Sequence, residues 1–205
     1  GFLKARYSDH YFLHSITNDF HNCLNTCTTS QYADDTAIYS SSSSLIDSTH
    51  SLEQDLQNVQ KWYIANKLKL NVDKTQFIIF GSRNQVKEAH GTTLAFGNEI
   101  IRQTEVINYL GLYLDSTLSY NQHILKLQKK ISRLLGALSH IRYLLPLGTR
   151  KHIYRSLVLP HFIYGISIWS DTSKANLKRL EILMNKVCRH ILMIGRQDMH
   201  TLELY

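Results

Sequence analysis

Between Ser44 and Lys67 the apolar residues fall on one helical stripe. Leu45, Leu52, Leu56, Val59 and Tyr63 recur at steps of three, four and seven, which predicts an amphipathic helix over residues 44–67. Ser44, with Asp47 three residues on, resembles a capping box at its start. After Asn66 the pattern turns to strands. Phe77–Phe80 is a continuous apolar run, and Gly97-Asn98 predicts a hairpin turn between Thr93–Phe96 and Glu99–Ile101. Val106–Leu110 and Leu112–Asp115 predict a second strand pair, interrupted at Gly111, where the missing side chain allows a sharp bend. From Ser119 the period is helical again. Ile124, Leu127, Ile131, Leu134, Leu138 and Ile141 form a stripe ended by Pro146 and Gly148. A second helical region runs from Thr149 to about Trp169, punctuated by Pro160. A third runs from Ser173 to about Ile194, with Leu177, Leu180, Met184, Val187 and Ile191 inward and Gly195 closing it. Three antiparallel helices predict a bundle, and the boundary with the strand-containing part falls near residues 116–120.

Upstream of the long helix, Gln31-Tyr32-Ala33-Asp34-Asp35-Thr36 places two adjacent carboxylates between Thr28-Thr29-Ser30 and Thr36-Ala37-Ile38-Tyr39. Residues that favour extended backbone bracket the acidic pair, so the carboxylates are expected at a hairpin tip. Neighbouring like charges repel, and a pair of divalent cations reverses that repulsion. Asp-Asp is also a common turn dipeptide whose side chains bond their own backbone, so the pair by itself leaves both readings open.

Charge sharpens the division. The net charge is +7, yet residues 1–120 carry 9 Lys and Arg against 12 Asp and Glu, while residues 121–205 carry 14 against 4. A −3 half that can hold metal, joined to a +10 helical half, suits a phosphate backbone held beside a catalytic centre. The alternative is a solvated basic surface. With 43% hydrophobic residues in 205, the chain can bury one substantial core or two small ones. No segment approaches the run of about 20 apolar residues that spans a bilayer, and no signal pattern opens the chain. No membrane association is therefore expected, and the location is expected to be intracellular, nucleus or cytoplasm. Cys23, Cys27 and Cys188 are an odd, uneven set, read as reduced thiols. His10, His14, His21, Cys23 and Cys27 lack the close Cys-x-x-Cys pair of a zinc site.

Four landmarks in order carry a resemblance. They are Tyr32-Ala33-Asp34-Asp35-Thr36-Ala37-Ile38-Tyr39, the helix ending near Trp62 followed by Leu68-Lys69-Leu70-Asn71-Val72-Asp73-Lys74-Thr75, then Asn108-Tyr109-Leu110-Gly111-Leu112-Tyr113-Leu114-Asp115, and a basic helical tail containing Tyr164-Gly165-Ile166-Ser167-Ile168-Trp169. Together they resemble the reverse transcriptases, RNA-directed DNA polymerases, of non-LTR (LINE-type) retrotransposons. Thr17-Asn18-Asp19-Phe20 is similar to the helix end that precedes the catalytic hairpin in that family.

The resemblance implies an α+β fold: a partial polymerase palm over residues 1–118, an antiparallel sheet with packed helices, followed by an all-α, thumb-like three-helix bundle over 119–205. It implies RNA-templated DNA synthesis by two-metal nucleotidyl transfer, with Mg²⁺ (Mn²⁺ as substitute) held by Asp34 as the principal ligand and Asp35 as the weaker one. Lys74 would donate a proton to pyrophosphate or offset its charge, while Asn71 holds its loop or contacts nucleotide. Tyr32 would lie beside the primer terminus or nucleotide. Tyr109, Leu110 and Gly111 look like a primer-grip hairpin, and Lys126, Lys129, Lys130 and Arg133 would track phosphates. The implied partners are an RNA template, a DNA primer and deoxynucleoside triphosphates. The family's third palm carboxylate and its glycine-rich, glutamine-bearing segment have no counterpart here, and Gly1–Tyr11 departs from the family run. The expectation is thus the back half of a palm plus a thumb, with fingers in a longer parent and the isolated chain inactive. A non-catalytic nucleic-acid-binding remnant is the other reading.

Overall fold

The computed structural model describes residues 2–6 (as backbone), 19–33 and 35–195. It divides into two compact units, Gly1–Leu118 and Ser119–Tyr205.

The first unit is built on a four-stranded antiparallel sheet of β1 (Phe2–Arg6), β2 (Thr28–Tyr32), β3 (Asp35–Tyr39) and β4 (Gln76–Ile78), in the order β2-β3-β1-β4. The strand pattern of Gly1–Tyr11 is too weak to reveal β1, yet it lies inside the sheet and joins the acidic hairpin to β4. Across the sheet lies α1 (Leu45–Ala65), whose Ser44 side chain accepts a hydrogen bond from the Asp47 N–H. Leu52, Leu56, Val59 and Tyr63 are all buried on one face, each worth roughly 1.5–3 kcal/mol of apolar transfer. They pack with Phe20, Ile38, Phe77, Leu94 and Ile101 into one core.

The short helix α2 (Arg83–Glu88) carries a complete capping box between Ser82 and Gln85. Then come two hairpins, β5 (Thr93–Phe96) with β6 (Glu99–Arg102), and β7 (Val106–Tyr109) with β8 (Leu112–Asp115). Gly97, φ +61, makes the first turn where the sequence predicts it. The second turn is Leu110-Gly111, with φ +47 and +82. Both are left-handed positions, as a two-residue hairpin loop demands, and a leucine fills one of them. Both hairpins adjoin β4; the Thr104 N–H donates to the Phe77 carbonyl at 2.7 Å and the Gly81 N–H to the Ser116 carbonyl at 3.1 Å.

The second unit contains α3 (Asn121–Ser139), α4 (Leu147–Leu157), α5 (Leu159–Ile163), α6 (Ile166–Trp169) and α7 (Lys174–Leu192). Several details differ from the expected three-helix bundle. The middle helix is three pieces. Pro160 has no N–H to continue the ladder, so the chain breaks at Val158, and Gly165, φ +63, separates α5 from α6. The first helix stops at Ser139, before Pro146, which is instead the N-cap of α4, with Gly148 inside that helix. Its buried stripe is Ile124, Leu127, Ile131, Leu135 and Leu138. Leu135, and not its neighbour Leu134, is the fully buried member, and Ile141 is exposed. In α7, Leu183 and Val187 are buried, Leu180, Met184 and Ile191 pack partly buried against the core, and Leu177 is exposed. Met193, φ +62, takes the left-handed capping position expected nearer Gly195. Among the described residues no helix is long and apolar enough to cross a membrane.

Candidate catalytic hairpin and nucleic-acid surface

The register of the β2–β3 hairpin positions the acidic motif. Thr28 pairs with Tyr39 and the ladder closes with Tyr32 opposite Asp35, so the motif spans the strand-to-strand connection. Ala33 there has φ +51, a conformation that a larger β-branched side chain resists. Asp34 lies outside the described residues. Asp35 opens β3, paired on its other side with Arg6 of β1, and its side chain is buried at 4% exposure. It therefore belongs to the sheet and not to an exposed tip. Tyr32 is 66% exposed, so its ring does not fill the sheet core.

The hairpin is held from below by a residue that the sequence reading did not single out. Asp55, on the buried face of α1, accepts hydrogen bonds from the N–H groups of Asn25 (2.9 Å), Thr26 (2.9 Å) and Cys27 (2.7 Å) and from the Thr26 hydroxyl (3.0 Å). Residues 25–27 lead directly into β2. Burial pushes the Asp55 carboxyl upward, but the three backbone donors and the Thr26 hydroxyl outweigh it and hold the group below its usual range. Trp62 on the same helix donates from Nε1 to Asp19 (3.2 Å) and meets Phe20 edge-on at 5.1 Å, which ties the preceding segment to α1. His10, His14, Thr17 and Asn18 lie outside the described residues. Cys23 and Cys27 are free thiols, pushed by burial up to about 11, so both are protonated and weakly nucleophilic at neutral pH.

Lys74 ends the short 3₁₀ turn Val72–Lys74, exposed, with its N–H donating to Asn71 Oδ1 at 3.2 Å. Asn71 thus holds its own loop. That turn adjoins β1, the neighbour of β3. Tyr109 and Leu110, both half-buried, and exposed Gly111 form the β7–β8 tip. This hairpin adjoins β4 at one edge of the sheet, whereas β2 is the other edge strand. The Lys74 turn thus adjoins the strand next to β3, and the β7–β8 hairpin adjoins the edge strand β4.

In the second unit, Lys126, Lys129, Lys130 and Arg133 all lie exposed on α3, opposite its buried stripe. Burial and then the charge of Lys130 lower the pKa of His161 on α5.

Among the described residues no group of three or more His, Cys, Asp and Glu side chains could hold a metal ion. Asp35 is one carboxylate and makes no cage by itself.

The reverse transcriptase (RNA-dependent DNA polymerase) family matches residues 7–114. Over 163 residues the chain is 29% identical to the RNA-directed DNA polymerase from mobile element jockey of Drosophila melanogaster, covering 78% of this chain and 17% of that protein. It is 28% identical over 167 residues to the corresponding jockey polymerase of Drosophila funebris, again 78% and 17%. Against the probable RNA-directed DNA polymerase from transposon BS of Drosophila melanogaster it is 29% identical over 168 residues, 78% and 18%. These alignments are longer than the first unit, so the similarity continues into the helical unit. The chain spans less than a fifth of the length of these relatives. No solved structure matches. Enzymes of this family generally use divalent metal ions. The chain belongs to the reverse transcriptase (RNA-dependent DNA polymerase) family, and its relatives are polymerases of non-LTR retrotransposons.

Proposed function

We propose that this chain is the palm and thumb portion of a retroelement reverse transcriptase that extends a DNA primer on an RNA template with deoxynucleoside triphosphates. The observation that carries the reading is the Tyr32–Asp35 register, which sets the acidic motif across a tight strand connection inside a sheet. Asp34 and Asp35 are the proposed ligands of Mg²⁺, and the ions, when bound, neutralise charge that grows as the phosphoryl group transfers. Asp55 fixes the chain leading into β2 and so the position of the carboxylates. Lys74, exposed on a turn beside β1, is the proposed cation for the pyrophosphate. Tyr32 faces primer or nucleotide, the Tyr109-Leu110-Gly111 tip positions the primer, and the α3 lysines with Arg133 follow the phosphate backbone. Residues 1–118 are the proposed palm portion and 119–205 the proposed thumb.

The test is primer extension on poly(rA)/oligo(dT) in Mg²⁺ and in Mn²⁺, with the purified chain and with the chain joined to the fingers of a relative. Asp34→Ala and Asp35→Ala are expected to lower extension by at least on the order of 10²–10³; an unchanged Asp34→Ala rate would refute the assignment.

A second reading rests on the exposed basic face of α3. It is a non-catalytic binding remnant, for which duplex affinity falls steeply with salt and no extension is seen in either form.

A further inference from the structure

A second basic site lies in the helical unit, away from the exposed face of α3. Arg142, in the turn between α3 and α4, meets Ile182, Lys186, Arg189 and His190 of α7 and Ile194 just beyond it around a cleft of about 230 Å³. Three of these side chains are cationic and none is a carboxylate. Arg142 Nε is buried without a hydrogen-bond partner among the described residues, as are Nε and Nη1 of Arg150 on α4, which does not line the cleft. Buried guanidinium donors left unpaired are costly, and cations gathered at one concavity repel each other.

The nearest carboxylate in sequence, Glu181, is bonded to Lys178 at 3.0 Å. His190 does not supply a counter-charge either. The Ser139 hydroxyl donates to the Leu135 carbonyl (2.8 Å), so its oxygen accepts from His190 Nε2 (2.9 Å), and His190 Nδ1 accepts from the Tyr154 hydroxyl. Both ring nitrogens are committed. Burial, then Arg142, lowers the imidazole pKa, and Lys186 and Arg150 lower it further. The imidazole is a neutral wall of the cleft, fixed in one tautomer.

We propose that this cleft is a binding site for a phosphate group. Arg142 Nη2 donates to the Tyr143 hydroxyl and its guanidinium lies 4.6 Å from that ring's centroid, so Arg142 offers its Nε–H while Arg189 offers its planar fork to a tetrahedral oxyanion, Lys186 adds a point charge, and Ile182 and Ile194 wall the cleft with apolar surface. Lys186 and Arg189 are three residues apart on α7 and therefore share a face. The site needs neither Asp35 nor a metal ion, so it stands or falls separately from polymerase activity. The phosphate is that of a polynucleotide strand or of a free phosphoryl compound.

The experiment is a titration of the full chain, labelled for NMR, with inorganic phosphate against sodium chloride of equal ionic strength, reading the arginine Nε–H signals. Saturable shifts at Arg142 and Arg189 are expected. Affinity should fall about tenfold or more in Arg142→Gln/Arg189→Gln, corresponding to about 1.4 kcal/mol, and stay unchanged in Lys61→Gln/Lys87→Gln, two exposed lysines of the first unit. Lys186→Gln, at an exposed position, serves if the double variant fails to fold. A twelve-nucleotide oligo(dT) that displaces phosphate assigns the site to a strand, whereas phosphate that binds undisturbed assigns it to a free compound. Equal loss in the Lys61→Gln/Lys87→Gln protein, or shifts no larger than those from chloride, overturns the proposal.

Discussion

The two units solve the same problem with opposite chemistry. Each must tie together elements distant in sequence, and each does so through one buried polar side chain on a long helix. In the sheet unit that group is an anion, Asp55, which gathers the backbone donors of residues 25–27. In the helical unit it is a neutral base, His190, which links Ser139 of α3 to Tyr154 of α4 from its own place on α7. A carboxylate suits a unit whose problem is unpaired N–H groups at the approach to a strand. A neutral imidazole suits a +10 unit, where another fixed cation would add to repulsion.

The strongest way to break the comparison is Asp55→Ala. It strands three backbone N–H groups at a cost of roughly 1–3 kcal/mol each where they stay dry, so a loss of about 3–5 kcal/mol is expected in urea unfolding, with faster amide exchange at residues 25–27. Unchanged exchange there would show that the carboxylate is dispensable. Next, Leu135→Ala should cost about 3 kcal/mol as a core truncation in the helical unit, while Leu134→Ala should cost far less; equal losses would contradict the observed helix phase.

Acid should separate the units more gently. The His190 and His123 pKa values are lowered mainly by burial, in His190 also by Arg142, Lys186 and Arg150. Their stabilising share is therefore full above the unfolded value near 6.5 and is lost as pH falls below it. Asp55 is lowered from 3.8, so its share persists to about pH 4 and is lost only below. Thermal melts from pH 7.5 to 4.5 should show the helical transition moving down first, and His190→Gln should flatten that slope; a sheet transition that moves first would reverse the assignment. Smallest of all, removing the Ser173 cap of α7 by Ser173→Ala should cost about 1 kcal/mol, measurable as a small drop in the helical melting temperature.

The long helix was legible because burial repeats locally: Leu52, Leu56, Val59 and Tyr63 announce their face without reference to anything distant. The Gly97-Asn98 turn was legible for the same reason, since the turn residue carries its own dihedral preference. β1 was not. Its membership in the sheet depends on pairing with β3 and β4, 29–37 and 72–76 residues away, and five residues carry no period strong enough to reveal that. Adjacent leucines at 134 and 135 leave the helix phase uncertain by one residue, a choice that only the partner helices make. In the candidate site, the acidic motif and its hairpin could be read from flanking propensities. Asp55 and His190 could not, because a polar residue inside a helix gives no local sign that its partners lie about 30 or 50 residues away in the chain.

The Leu110-Gly111 turn has a bearing on how this chain would drift. At φ +47 a leucine carries roughly 1–2 kcal/mol of backbone strain that asparagine or glycine largely escapes. In a library randomised at position 110, selection for heat tolerance alone should sweep asparagine and glycine to fixation within a few rounds. Leucine would persist only in a population also selected for what the hairpin touches, and its frequency in the survivors would be a direct record of that second pressure.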